Sequence, residues 1–275
     1  MTTIMTKRIL SLCCAVCLTT AFGACSNTSE ITETSAASYE NSTTMPQLDE
    51  NESETETKTE ASVTEATEQS DEPIETKSND EYEYWVYDDH ISICEYLGSD
   101  SEVIVPAEID GLPVTVLEEY AFGGIDTLTR VELPDSLITI GDSAFGFCKN
   151  LKSVVIPENV SEIGEDAFIY CYGLKKADFA YGVTEIGSGM FAYCENLEEV
   201  TIPDTVKTIG DHAFSDCTSL EKIEIPESVT SLGFRTFYYC ENLSGVSLPD
   251  SFDEFAIEQA FKDSLWYEEN FGTAE

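Results

Sequence analysis

Ten cysteines, two histidines and 54 acidic residues are the side chains of this 275-residue chain that could do covalent or metal chemistry. Five cysteines, Cys148, Cys171, Cys194, Cys217 and Cys240, recur every 23 residues. On neighbouring strands about 4.8 Å apart such thiols could bind a metal or form disulfides, but parallel side chains hold the Cβ atoms slightly too far apart for the bond. The preceding unit has Ile125 in that place. A column that accepts Ile reads as small, buried and apolar, so reduced core thiols are expected, with one disulfide involving Cys94, or a metal, as the alternatives. His90 and His212 stand in no ligand spacing. Asp88-Asp89-His90 reads as a hairpin turn, and His212 as a variable surface position matched by Ser143, Asp166, Gly189 and Arg235. No nucleophile elbow, phosphate-binding glycine loop or Cys-His pairing is present in the sequence. Carboxylate pairs are expected by chance at this acid content. No catalytic residue, metal or cofactor is therefore expected.

Two columns have side chains suited to binding. The first comprises strand positions Arg130, Ser153, Lys176, Glu199, Lys222 and Gly245, then Glu132, Val155, Asp178, Thr201, Glu224 and Ser247, with Lys152 and Lys175 just before them. It gathers five of the nine bases that follow residue 81, a mixed polarity that fits either a partner-binding face or cross-strand charge pairing. The second precedes each cysteine: Phe147, Tyr170, Tyr193, Asp216 and Tyr239. Stacked aromatics there could bind protein or glycan, or form a packing ladder on the flank.

The elements that position these residues repeat with one period. Val131-Glu-Leu-Pro134 recurs as Val154-Val-Ile-Pro157, Val200-Thr-Ile-Pro203, Ile223-Glu-Ile-Pro226 and Val246-Ser-Leu-Pro249, with Ala177-Asp-Phe-Ala180 as a degenerate copy. Gly141, Gly164, Gly187, Gly210 and Gly233 keep the same 23-residue step, as do Phe122, Phe145, Phe168, Phe191, Phe214 and Phe237. Within a unit, Leu151, Val154 and Ile156 point inward from one short strand and Val160 and Ile163 from a second. Ala167, Phe168, Cys171 and Leu174 follow helical spacing, and Asp142, Ser188 and Asp211 suit caps after the glycine turn. One unit cannot bury its apolar stripe alone, but stacked units can, which is the logic of a solenoid.

The pattern L-x-x-V-x-L-P-x-x-L-x-x-I-G-x-x-A-F-x-x-C resembles the bacterial BspA-type leucine-rich repeat over about residues 82–267. The resemblance implies a solenoid of about six to seven units of short strands plus a helical turn. It also implies a strand ladder on the concave face and exported surface proteins that bind other macromolecules. Glu83 to Leu97 resembles the N-terminal cap hairpin of such domains, Ile109 to Pro113 is an insertion, and Phe255-Ala256 with Trp266 marks a C-terminal cap.

The formal charge of −41 excludes a duplex nucleic-acid binder and a polybasic membrane-surface protein. Lys7 and Arg8, an apolar run from Ile9 to Ala21, and Gly23-Ala24 have the order of a secretory signal over residues 1–24, and the apolar run is shorter than the roughly 20 residues of a spanning helix. Phe22-Gly23-Ala24-Cys25 resembles a bacterial lipobox, with Phe22 where that family usually has Leu. The resemblance implies diacylglycerol on Cys25 and a membrane anchor. Between residues 26 and 80 lie 20 Ser or Thr and 15 Asp or Glu with almost no large apolar residues, so residues 25–81 are expected to be a disordered tether and 82–275 the folded domain. Together these features read as a lipid-anchored surface protein that binds another protein, or else a glycan, without nucleic acid.

Overall fold

A computed structural model describes residues 72–272. The expected leader at 1–24, Cys25 and the tether as far as residue 71 lie outside the described residues. The folded domain begins earlier than residue 82. β1 (Glu75–Ser78) pairs antiparallel with β2 (Tyr82–Val86), which pairs antiparallel with β3 (Ile91–Tyr96) across the expected Asp88-Asp89 turn. β1 has no apolar alternation, so nothing in its side chains announced a strand. It is held by backbone pairing along the outer edge of β2 and by Lys77, whose Nζ lies 3.0 Å from the Asp110 carboxylate.

β4 (Glu102–Ile104) starts the repeats, and β5 (Glu108–Ile109) with β6 (Leu112–Leu117) accommodates the insertion as a hairpin. Asp110 and Gly111 form its turn with φ of 54° and 82°, the left-handed pair of a type I′ turn. From β4 onward the first strands of the units, Arg130–Glu132, Ser153–Ile156, Lys176–Phe179, Glu199–Thr201, Lys222–Glu224 and Gly245–Ser247, run parallel. Their central residues Val131, Val154, Ala177 and Ile223 are buried while the flanking ones face out. A second ladder joins β6 to Thr139–Ile140 and Glu162–Ile163, and another stretch joins Glu185–Ile186, Thr208–Ile209 and Ser231–Leu232.

The segment expected to be a helical turn is instead a third ladder. Two residues per unit, four apart, have positive φ: Ser143 and Phe147, Asp166 and Tyr170, Gly189 and Tyr193, His212 and Asp216, Arg235 and Tyr239. A left-handed residue costs about 1–2 kcal/mol and cannot continue an α-helix. The gain is a pattern in which alternate N–H groups point to the next rung. Ser143, Phe145 and Phe147 donate to the carbonyls of Glu165, Ala167 and Ile169 at 2.8–2.9 Å, while Ala144, Gly146 and Cys148 close turns within their own rung. Asp142 and Asp211 likewise do not cap their own turn. Each accepts the backbone N–H one period on, from Glu165 at 2.9 Å and Phe234 at 2.6 Å. Gly210 permits the close approach, since a Cβ there would stand 2.6 Å from the Ser188 nitrogen.

The core is a column of parallel rings. Tyr96, Phe122, Phe145, Phe168, Phe191, Phe214, Phe237 and Phe261 stack with centroids 4.6–5.5 Å apart and planes within 17°. The phenylalanines are fully buried. α1 (Glu254–Phe261), capped by Asp253 on the Ala256 N–H, and α2 (Leu265–Phe271) close the C-terminal end. Ala260 and Gln259 accept the last turn-ladder N–H groups, and Trp266 tilts against Phe261.

One joint differs. The second-ladder bonds formed by Gly141, Gly164, Gly210 and Gly233 to the previous rung have no counterpart at Gly187, nor does the bond made by Ser161, Lys207 and Thr230 at Thr184. This is the degenerate unit, with Ala180 in place of the proline and Tyr181 exposed.

Candidate interaction surface

The outward positions of the first strands are exposed or half-exposed, as their alternation requires. Many of their charges neutralise one another. Arg130 bridges Glu132 at 2.5 Å and Glu102 at 4.0 Å, Lys175 meets Glu198 at 2.8 Å, and Lys176 meets Glu199 at 3.2 Å and Asp178 at 3.4 Å. Thr201 adds a hydroxyl to Asp178 at 3.3 Å. Lys152 and Lys222 have no ion-pair partner among the described residues, and Glu224 stands beside Ser247 on the next strand. Val155 and Ile104, 61% and 72% exposed, are apolar positions on this otherwise polar strip. The exposed ion pairs contribute about 0–1 kcal/mol each, so the strip is ordered mainly by its backbone ladder.

The aromatic column splits. Phe147, Tyr170 and Tyr193 stack on one another, with centroids 5.0 and 4.5 Å apart, and Tyr172 meets Tyr170 edge-on. Burial, then the neighbouring Tyr193, pushes the Tyr170 hydroxyl up to about 12. Faces that cover each other leave mainly edges for a ligand, so these three form a packing ladder. Asp216 interrupts it, and Tyr239 lies apart against Tyr238.

The five column cysteines are buried and unbridged, and Cys94 is also free. Each column thiol donates to a phenylalanine carbonyl of the previous rung: Cys148 to Phe122 at 3.0 Å, Cys171 to Phe145 at 3.1 Å, Cys194 to Phe168 at 3.3 Å, Cys217 to Phe191 at 3.3 Å and Cys240 to Phe214 at 3.1 Å. Burial raises all of them, Cys148 to about 12, which removes the nucleophilic thiolate at neutral pH. His90 sits at the hairpin, stacked on Tyr87 at 4.4 Å with Nδ1 2.7 Å from Asp89. His212 is half-buried rather than fully at the surface, edge-on to Phe234, and burial followed by nearby Arg235 lowers its pKa. Among the described residues no group of three potential ligands could hold a metal, and no helix is long and apolar enough to cross a membrane.

The sequence reading missed a cluster in the last turn, where Arg235 lies over Tyr238 and Phe234. Its signal was available: the repeat puts Asp142, Glu165, Ser188 and Asp211 where Phe234 stands.

The BspA type leucine rich repeat region matches residues 107–220 and 184–268, in six copies. Among solved structures, a leucine rich cell surface protein of Faecalibacterium prausnitzii is 30% identical over 64% of this chain, with a TM-score of 0.51, and the match spans 55% of that protein's chain. A leucine-rich repeat protein of Eubacterium ventriosum shares the fold at 22% identity over 72% of this chain and 52% of its own, with a TM-score of 0.50. A leucine rich repeat protein of T. pallidum is 28% identical over 70% of this chain and 99% of its own, with a TM-score of 0.48. No curated protein matches the chain.

Proposed function

From the premise that this chain belongs to the BspA-type leucine-rich repeat family, we propose that it is a surface-displayed protein that binds another protein through the face of its first strands. One observation carries the choice of face. The outward side chains Arg130, Ser153, Lys176, Glu199 and Lys222 change type from rung to rung, while their inward neighbours remain apolar. Packing fixes the inward set and leaves the outward set free to take up recognition. The cell-surface designation of the Faecalibacterium relative supports display outside the cell. The lipobox resemblance at Cys25 supports an acyl anchor, with residues 26–71 as its tether. Binding is preferred to catalysis because the thiols are buried and protonated and the family is built of repeats that expose surface rather than enclose a site. The strand face is preferred to the aromatic column as a glycan site because Phe147, Tyr170 and Tyr193 spend their ring faces on one another.

Pull-down with the full chain, identified by mass spectrometry, supplies the partner, and the double variant Lys176→Glu with Lys222→Glu then tests the face. The expected outcome is loss of that partner with an unchanged thermal midpoint, and weaker wild-type binding at high salt, where exposed charges are screened within about 8 Å or less. A folded double variant that binds as tightly as wild type would move the site off this face. Separately, Cys25→Ser should release the protein from the membrane fraction, and retention at wild-type levels would refute the anchor.

A further inference from the structure

We propose that the flank of the last turn, formed by Phe234, Arg235, Tyr238 and Tyr239, is a second docking surface, for a protein segment that presents a carboxylate beside an apolar side chain. The repeat itself serves as the control. The column of Phe234 holds Asp142, Glu165, Ser188 and Asp211 in the preceding units, and the column of Tyr238 holds Gly146, Ile169, Ala192 and Ser215. The fold is thus satisfied without an aromatic ring at either place. Asp142 and Asp211 even accept a backbone N–H there, a bond that Phe234 gives up. The C-terminal cap does not explain the change, because Phe234 and Tyr239 each remain 46% exposed after α1 has packed.

Arg235 gives the cluster its selectivity. Its guanidinium carbon lies 4.4 Å from the Tyr238 ring centroid and 5.0 Å from that of Phe234, and Tyr239 sets its edge against Tyr238 at 4.3 Å. Arg235 makes no salt bridge among the described residues, whereas Arg130, the other arginine among them, bridges Glu132 and Glu102. A guanidinium held against aromatic faces keeps its in-plane N–H fork for a carboxylate, and the rings limit the rotamer freedom lost on binding. The exposed edges of Phe234 and Tyr239 accept an apolar neighbour, and aromatic residues with Arg are the composition of interface anchors. The formal charge of −41 repels a polyanion, which favours one carboxylate in an apolar setting over an acidic tract or an acidic polysaccharide. This surface stands independently of the strand-face reading.

The test is a titration of the 15N-labelled full chain with N-acetyl-Leu-Glu-Leu-amide, following the side-chain Nε–Hε signals of Arg235 and Arg130. A saturable shift at Arg235, absent at salt-bridged Arg130 and about tenfold weaker with the Gln analogue of the peptide, is expected. Phe234→Asp restores the residue type of the other rungs, so it should keep the thermal midpoint and abolish the shift. Arg235→Lys, which keeps the charge and loses the planar fork, should weaken binding in a folded protein and serves if Phe234→Asp fails to fold. Absence of a saturable shift, equal shifts at both arginines, or undiminished binding by folded Phe234→Asp would overturn the proposal. Glucuronate binding as well as the peptide would overturn the protein segment as occupant.

Discussion

The turn side and the strand side of each rung are built from the same 23 residues and obey opposite constraints. On the turn side, strained backbone at Phe147, Tyr170 and Tyr193, the phenylalanine column and the thiol-to-carbonyl bonds interlock, and the inward Phe and Cys residues there are fixed by several partners at once. On the strand side, the backbone ladder alone sets the geometry, and Ser153, Lys176, Glu199 and Gly245 substitute for one another in a single column. Within one repeat the inward positions are held and the outward ones are free, most fully on the strand side, so the surface can change without endangering the stack.

Alkaline titration should break the turn side most completely. The buried thiols have pKa values raised above the ordinary 9.0, Cys148 to about 12, so the unfolded chain ionises first. Their contribution is intact below about pH 9 and is lost as pH climbs towards the raised native values. The loss is about 1.4 kcal/mol per thiol per pH unit. Urea midpoints measured from pH 7 to 11 should fall steeply above 9, and less steeply for a Cys171→Ala, Cys217→Ala variant. A flat profile would contradict the buried, reduced column.

Phe191→Ala in the middle of the stack should cost about 3–5 kcal/mol by equilibrium denaturation, because both neighbouring rings lose a face. The joint at the degenerate unit refines the contrast within the ladders. Amide exchange at Thr184 and Gly187 should be at least about tenfold faster than at Lys207 and Gly210, whose equivalent bonds are present. Equal protection would remove the distinction. At the small end, Val155→Ser on the strand side should change stability by no more than about 0.5 kcal/mol.

Much of this architecture could be read from columns of residue type. The period, the inward valines, the phenylalanine core and the solenoid all followed from spacing, because packing in a repeat leaves the same imprint in every unit. Even the pairing of Lys175 with Glu198 and Lys176 with Glu199 was implicit, since each pair is one period apart. Backbone conformation left a fainter imprint. Ala167, Phe168, Cys171 and Leu174 have helical spacing, yet left-handed Asp166 just before them and Tyr170 among them forbid a helix, and in the column of Asp166 only Gly189 hinted at it. β1 was invisible because edge pairing through the backbone asks nothing of side chains. The Arg235 cluster was overlooked because its signal was a departure from the repeat instead of a match to it.

The shared phase of the ladders, the ring stack and the thiol column has a consequence for how such a protein changes length. An insertion that is not a whole unit would throw all of them out of step together, unless the surplus buds off as its own hairpin, as it does at Asp110-Gly111. Growth and shrinkage are thereby quantised. A gain or loss of whole 23-residue units would keep every column in step, so relatives of this chain are expected to vary in reach by counted rungs, like a ruler cut only at its graduations.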